Sequence, residues 1–338
     1  MKTRSADSAV RWGILGTGTI ASRFASDLDL VPDAVARAVG SRTREGADTF
    51  GDRFGIPVRH ADYRALVDDP DVDAVYVAVP HPWHHAWARA ALEAGKAVLC
   101  EKPFTVNAAE ARDLVTVARG RNLFLMEAMW NRFLPSLVRV RDILERGELG
   151  RIRTLRAGLG FRMSTDPAGR LLAPGLGGGA LLDLGIYPVS FASFVLGRPE
   201  SVMAVGTHTA TGVDAQCSVV LRYADGTQAL LHTTLEVDTG DCTIVAGSEG
   251  RIELGGPLYD PTSLRLFRGW GPDAALAGSW ETAHRGNGLH HEAAEVGRCL
   301  RERLRESPVM PLDESVAIME ALDEIRRQIG LRYPFERS

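Results

Sequence analysis

Val10 to Leu15 is a short apolar run that passes without a break into Gly16-Thr17-Gly18-Thr19-Ile20-Ala21, and Ser22 to Leu30 follows with helical spacing. A strand, a glycine turn and a helix in that order leave few folds open, because a buried strand feeding a helix builds a parallel, doubly wound layer. Gly16 permits the tight turn, Gly18 lets a pyrophosphate approach the backbone, and the small Ala21 lets helix and strand pack closely. The N–H groups and the dipole at the helix start make Gly16, Thr17, Gly18, Thr19 and Ile20 a candidate anion cradle.

The alternation continues. Strands are expected at Ala34–Gly40, Ala74–Val79, Val98–Cys100 and Leu123–Met126, separated by helical stretches at Gly46–Phe54, Tyr63–Val67, Ala86–Ala94 and Ala108–Arg119. This predicts an α/β domain over residues 1–126. The second strand ends in Ser41-Arg42-Thr43-Arg44, with no carboxylate to repel a 2′-phosphate and with a guanidinium and two hydroxyls to hold one, so NADP(H) is favoured over NAD(H). The strand Val98–Cys100 stops at Glu101-Lys102-Pro103. Ligands of an open α/β sheet bind outside the carboxyl ends of its strands, which makes Lys102 a candidate for chemistry and the Lys102–Pro103 bond a candidate for the cis form. Pro80, His81 and His84 follow the third of these strands and are expected, with Glu101 and Lys102, to line the cofactor; ordering its own loop is an equal reading for His84. No carboxylate or cysteine follows these histidines at ligand spacing, so no metal is expected.

Beyond residue 126, Trp130, Arg132 and Phe133 combine rings and a guanidinium in a way that suits a ring substrate with polar groups, with ordinary core packing an equal reading for Trp130 and Phe133. The helix Pro135–Arg146 and the strand Arg151–Phe161 precede closely spaced strands at Ser201–His208, Ala215–Tyr223, Thr227–Glu236, Asp241–Ala246, Arg251–Leu254 and Leu264–Phe267, with Asp225-Gly226 and Glu249-Gly250 as turns. An α+β domain over 127–338 with a large, mostly antiparallel sheet is predicted, and its broad face is a candidate homodimer surface. Gly177-Gly178-Gly179 leads to Asp183 and Tyr187, four residues apart and on one face if helical, before a helix at Val189–Leu196. A carboxylate and a phenol near a lysine suit reversible proton transfer from an alcohol. His290-His291-Glu292 reads as a capped, solvated helix start, and Glu314–Ile329 as a closing helix with one apolar stripe.

Composition narrows the partners. At 338 residues two domains are expected, and a net charge of −4 without a basic-aromatic stripe argues against nucleic acid. Cys100, Cys217, Cys242 and Cys299 form no CxxC pair, which points to reduced thiols in a cytoplasm and to no zinc site. The polar first ten residues, and the want of an apolar run near the roughly 20 residues a bilayer needs, predict no targeting or membrane segment.

Taken together, GTGTIA after the first strand, Pro80 with His84, AGKAVLCEKP at 94–103 and GGALLDLGIYP at 178–188 resemble the Gfo/Idh/MocA oxidoreductases nearly end to end. LCEKP, NAAEAR at 107–112, LFLMEAMWNRFLP at 123–135 and ESPVMPLDES at 306–315 are similar to the branch of dimeric trans-1,2-dihydrodiol dehydrogenases, which also act as NADP-dependent D-xylose dehydrogenases. The resemblance implies that Lys102 and Tyr187 sit at the reacting carbon with Asp183 beside them; the residues expected to face the substrate are Trp130, Arg132, Phe161, Asp183 and Tyr187, with Arg132 also expected to reach the cofactor. Many relatives carry histidine at the position of Tyr187, a departure that favours dihydrodiol and sugar-ketoreductase branches over inositol-type ones; position 81 is often asparagine in the wider family, so the resemblance does not fix the role of His81. Two rival expectations are a nucleotide-sugar ketoreductase and a cofactor-binding sensor without catalysis.

Overall fold

The computed structural model describes residues 9–163, 166–240 and 243–336. Its contacts divide the chain into two compact units, Met1–Trp130 with His284–Val316, and Asn131–Ala283 with Ala317–Ser338.

The first unit holds a parallel sheet of β1 (Val10–Leu15), β2 (Ala34–Gly40), β3 (Val58–His60), β4 (Ala74–Val77), β5 (Ala97–Glu101) and β6 (Leu125–Ala128) in the order β3-β2-β1-β4-β5-β6. The helices α1 (Thr19–Leu28), α2 (Arg44–Phe54), α3 (Tyr63–Val67), α4 (His84–Glu93) and α5 (Ala108–Arg121) connect them. Strand order reverses between β1 and β4, and in such sheets a ligand crevice opens at the carboxyl ends there. All four β4 residues are buried, as expected for a strand covered on both faces. On one face Trp12, Phe24 and Tyr76 interlock, with Phe24 and Tyr76 stacked at 3.8 Å and Trp12 edge-on to Phe24 at 5.2 Å. Each such pair adds about 0.5–1.5 kcal/mol beyond area burial. The three-residue β3 was not anticipated, being too short to show a period. β6 runs to Ala128 rather than ending at Met126, so a charged residue, Glu127, lies inside it.

The helix α8 (Leu289–Arg301) belongs to this unit. The expectation of a solvated start at His290-His291-Glu292 is overturned: Glu292 is fully buried. The cap comes from far away in sequence, since buried Asp27 on α1 accepts hydrogen bonds from the N–H groups of Asn287 and Leu289 at 2.9 Å each.

The second unit is built on a sheet in the order β14-β13-β12-β11-β7-β10-β9-β8. Its strands are β7 (Ile152–Gly160), β8 (Ser201–His208), β9 (Asp214–Arg222), β10 (Gln228–Thr234), β11 (Thr243–Gly247), β12 (Gly250–Gly255), β13 (Ser263–Arg268) and β14 (Ala275–Glu281). Neighbours run antiparallel except β7 and β10. The edge strand β14 carries few β-branched residues and no alternation, which is why it escaped the sequence reading. One face presents Leu155, Ala157, Leu231, Val245 and Ile252 to the core. The helices of this unit are α6 (Pro135–Glu145), α7 (Ile186–Leu196) and most of α9 (Leu312–Ile329), whose stripe Ile318, Met319, Leu322 and Ile325 is buried. Contrary to the expectation of no long apolar run, Pro174–Leu196 is long and apolar enough by length and composition to cross a membrane; 78% of its most apolar window is buried inside the protein, as in a core helix.

Candidate active site

In the first unit the turn after β1 has the geometry its glycines suggest. Gly16 sits at φ +117°, and a Cβ there would collide with the Ala78 carbonyl. At Gly18, the N-cap of α1, a Cβ would meet nothing within 4 Å, and the first turn of α1 carries neither an acidic residue nor a side-chain cap. Backbone donors beside open space are what an approaching anion requires. After β2, Thr43 Oγ1 accepts the Gly46 N–H at 3.1 Å and so caps α2. The Ser41 hydroxyl lies close by: a Cβ on Gly46 would lie 2.5 Å from Ser41 Oγ and 3.0 Å from Thr43 Oγ1. Two hydroxyls therefore converge at a helix start. Arg44 turns back to the Arg59 carbonyl at 2.8 Å, whereas Arg42 is exposed and lies close enough to favour the Tyr63 phenolate against the burial that pushes that group up.

The lysine turn is held from several sides. Glu101, 4% exposed, accepts a short hydrogen bond from the Tyr76 hydroxyl and another from the Lys102 N–H at 3.1 Å. Glu127, fully buried, accepts the Phe104 N–H at 3.0 Å. Both ring nitrogens of His84 face carbonyl oxygens, Pro103 at 2.8 Å and Val79 at 2.7 Å. Burying carboxylates is costly unless they are hydrogen-bonded, so residues 102–104 are fixed by groups that cannot easily let go. The Lys102–Pro103 bond is cis. Beneath the turn, burial pushes the Cys100 thiol up, with the charges of Glu101 and Glu127 adding to it, which keeps it an inert thiol.

In the second unit the glycines before α7 serve a packing purpose. Gly179, at φ +118°, lies where a Cβ would collide with Asp214 Oδ1. Asp214 Oδ2 accepts the Leu181 N–H at 2.6 Å, and burial pushes its carboxyl up to about 6 against the opposing pull of these backbone donors. From there the chain makes a π turn over Leu181–Gly185 and continues as α7. The helix thus begins at Ile186, earlier than the expected Val189. Pro188 has no N–H for the carbonyl of residue 184, and the widened turn ahead of it accommodates that loss. Asp183 and Tyr187 are both nearly buried, at 7% and 5% exposure. The Tyr187 ring lies 5.9 Å from that of Tyr259, which lies 5.9 Å from Phe161. Arg132 is buried, bonded to the Ser190 carbonyl at 2.9 Å and its hydroxyl at 2.9 Å and stacked over Phe194 at 5.5 Å. What it demonstrably does is hold α7.

Within the first unit the structure thus brings Gly16, Thr17, Gly18, Thr19, Ile20, Ser41, Arg42, Thr43, Pro80, His81, His84, Glu101 and Lys102 to the carboxyl ends of β1, β2, β4 and β5. Within the second it joins Asp183, Tyr187 and Phe161 to one neighbourhood. Trp130 is buried and lies at the end of the first unit. Sequence reasoning missed Glu127, Tyr76, Tyr259, Arg170 and Asp214. For Glu127 a signal existed, an acid closing an apolar run as Glu101 does; the others have only tertiary partners.

Residues 10–129 match the oxidoreductase family model for a NAD-binding Rossmann fold, and residues 137–253 match the GFO/IDH/MocA C-terminal domain. The chain is 40% identical over 332 residues to a trans-1,2-dihydrobenzene-1,2-diol dehydrogenase of Macaca fascicularis and 39% identical to that of Homo sapiens, each alignment covering 96% of this chain and 98% of the relative. A solved 3-ketoreductase from Actinomadura kijaniata, in complex with NADP and TDP-benzene, aligns with a TM-score of 0.84 at 28% identity, over 95% of this chain and 98% of its own. That enzyme has also been solved with a tyrosine changed to phenylalanine and with a lysine changed to alanine.

Proposed function

The chain belongs to the Gfo/Idh/MocA oxidoreductase family, and from that premise we propose that it is an NADP(H)-dependent dehydrogenase acting reversibly on a secondary alcohol of a sugar, cyclic polyol or trans-dihydrodiol. The observation that carries the reading is the lysine turn. The backbone that carries Lys102 at the carboxyl end of β5, in a sheet with an open glycine cradle, is fixed by Glu101, Glu127 and His84 as the mount of a reaction centre must be. The dihydrodiol dehydrogenases supply the substrate class.

The residues present fit a dinucleotide. The open backbone at Gly18 suits its pyrophosphate, and Ser41, Thr43 and Arg42 suit a 2′-phosphate. The nicotinamide, when bound, supplies the redox step by taking hydride from the carbinol carbon or returning it to a ketone. The protein handles the proton. Tyr187 accepts it from the hydroxyl, and because a phenol ordinarily titrates near 10, the ammonium of Lys102 is needed to favour the phenolate and to stabilise the developing alkoxide. Asp183 orients that pair. Phe161 and Tyr259 of the second unit offer apolar surface to a ring.

Oxidation of D-xylose, D-glucose, myo-inositol and trans-benzene dihydrodiol, followed by the absorbance of reduced cofactor with NADP⁺ and separately with NAD⁺, tests the reading. Turnover of xylose or the dihydrodiol with NADP⁺ is expected. Tyr187→Phe and Lys102→Ala are expected to lower kcat by about 10²–10⁴ while NADPH still binds; full turnover by Tyr187→Phe would sink the proton route. The likeness to a 3-ketoreductase bound to TDP-benzene favours a second reading, a nucleotide-sugar ketoreductase, which binding of TDP in the presence of NADPH would support.

A further inference from the structure

Asp183 has a partner from another part of the second unit. Arg170 Nη2 lies 2.9 Å from Asp183 Oδ1, with the arginine side chain 45% and the aspartate side chain 9% exposed. Asp183 belongs to the π turn, whereas Arg170 lies in the irregular stretch before Pro174. Backbone contacts bring the two together. The Gly179 N–H donates to the Leu171 carbonyl at 2.8 Å and the Gly178 N–H to the Ala173 carbonyl at 3.2 Å. A Cβ on Gly178 would lie 2.5 Å from the Leu171 oxygen and 2.8 Å from that of Arg170, so only glycine lets the loop lie so close. Tyr333 locks the same place by donating to the Gly178 carbonyl at 2.7 Å. An ion pair with one half-exposed member adds little to folding, yet the loop is arranged to deliver this guanidinium to this carboxylate.

We propose that Arg170 is a positioning residue for the reaction: it aims the Asp183 carboxylate and balances its charge, so that Asp183 presents one orientation to the substrate and to Tyr187. The inference rests on the proposed function, in which Asp183 orients the proton-transferring pair. The contact is one nitrogen on one oxygen rather than a two-pronged fork. The positive charge at that place is therefore the operative property, and a lysine supplies it in part.

The test compares Arg170→Ala, Arg170→Lys and Asp183→Asn in the full chain, with NADP⁺ and whichever of D-xylose or trans-benzene dihydrodiol the parent oxidises. Arg170→Ala is expected to lower kcat by about tenfold, a barrier change of one decade, while NADPH affinity and melting temperature stay as in the parent. Arg170→Lys is expected to recover most of the loss. Parent-like kcat in Arg170→Ala beside an impaired Asp183→Asn overturns the inference alone; parent-like kcat in Asp183→Asn overturns the role given to Asp183 in the proposed function. Equal impairment of the alanine and lysine variants overturns the charge argument. A crystal structure of Arg170→Ala gives a readout independent of turnover, and an unmoved Asp183 rotamer there overturns the inference as well.

Discussion

His84 sets one ring nitrogen against the Pro103 carbonyl and the other against that of Val79, and so spans the β4 loop and the lysine turn. Removing it strands the buried carbonyl that its N–H satisfies, at a cost of about 1–3 kcal/mol. His84→Ala is therefore expected to lower the melting temperature and to reduce kcat more than NADPH affinity, as read by thermal melting and steady-state kinetics. Arg42 belongs to the same scale but to a different property. Because Arg44 is engaged with the Arg59 carbonyl, the proposed preference for a 2′-phosphate would rest on Arg42 beside Ser41 and Thr43. Arg42→Ala is expected to weaken NADP⁺ by about 1.5–3 kcal/mol, the worth of a charge-assisted hydrogen bond, and to leave NAD⁺ nearly unchanged; an unaltered ratio of affinities would remove the assignment.

The helix that carries Asp183 and Tyr187 depends on Asp214, whose carboxyl lies under its first N–H groups. Burial holds that carboxyl near 6 against an ordinary 3.8. The folded state thus binds a proton more tightly than the unfolded one, so this group's stabilisation is complete below about pH 4 and is lost as pH rises through about 6. The loss is on the order of 3 kcal/mol. On α8 the sign is opposite: burial, with the charges of His290 and His284, brings His291 down to about 4, so its contribution is present above 6.5 and is lost as pH falls through about 4. The two slopes oppose each other over one window. Asp214→Asn keeps an acceptor for the Leu181 N–H and removes only the first slope. Its melting temperature relative to the parent is expected to rise between pH 4 and pH 7, and a constant difference would refute the assignment.

At the scale of the whole molecule, the sheet face of the second unit turned away from its core calls for a partner. Met203, Val220, Leu230 and Arg156 form one row across β8, β9, β10 and β7. Met203, Leu230 and the neighbouring Val205 are 57%, 45% and 71% exposed. Apolar residues in an ordered row are costly to leave in water, and we propose that a second copy of the chain covers them. Val205→Asp is expected to shift the sedimentation coefficient from dimer to monomer, whereas a parent already monomeric at micromolar concentration would dismiss the proposal.

Local pattern alone was enough for most of the architecture. Apolar runs alternating with helical stretches placed β1, β2 and α5, and the GTGTIA turn placed the cradle, because glycine at Gly16 and the open backbone at Gly18 are properties of residues and their immediate neighbours. The lysine turn was legible for the same reason, as an apolar run that ends in Glu101-Lys102-Pro103. Other features depend on partners distant in the chain. Asp27 capping α8, Glu127 holding Phe104, Asp214 seating the π turn and Arg170 reaching Asp183 join residues up to 262 positions apart. A side chain's sequence shows what it can donate or accept, but which group it meets is decided only when folding buries it beside residues distant in the chain. Glu292, expected at a solvated helix start, lies inside the folded protein, because the packing around α8 and not the local pattern sets its burial.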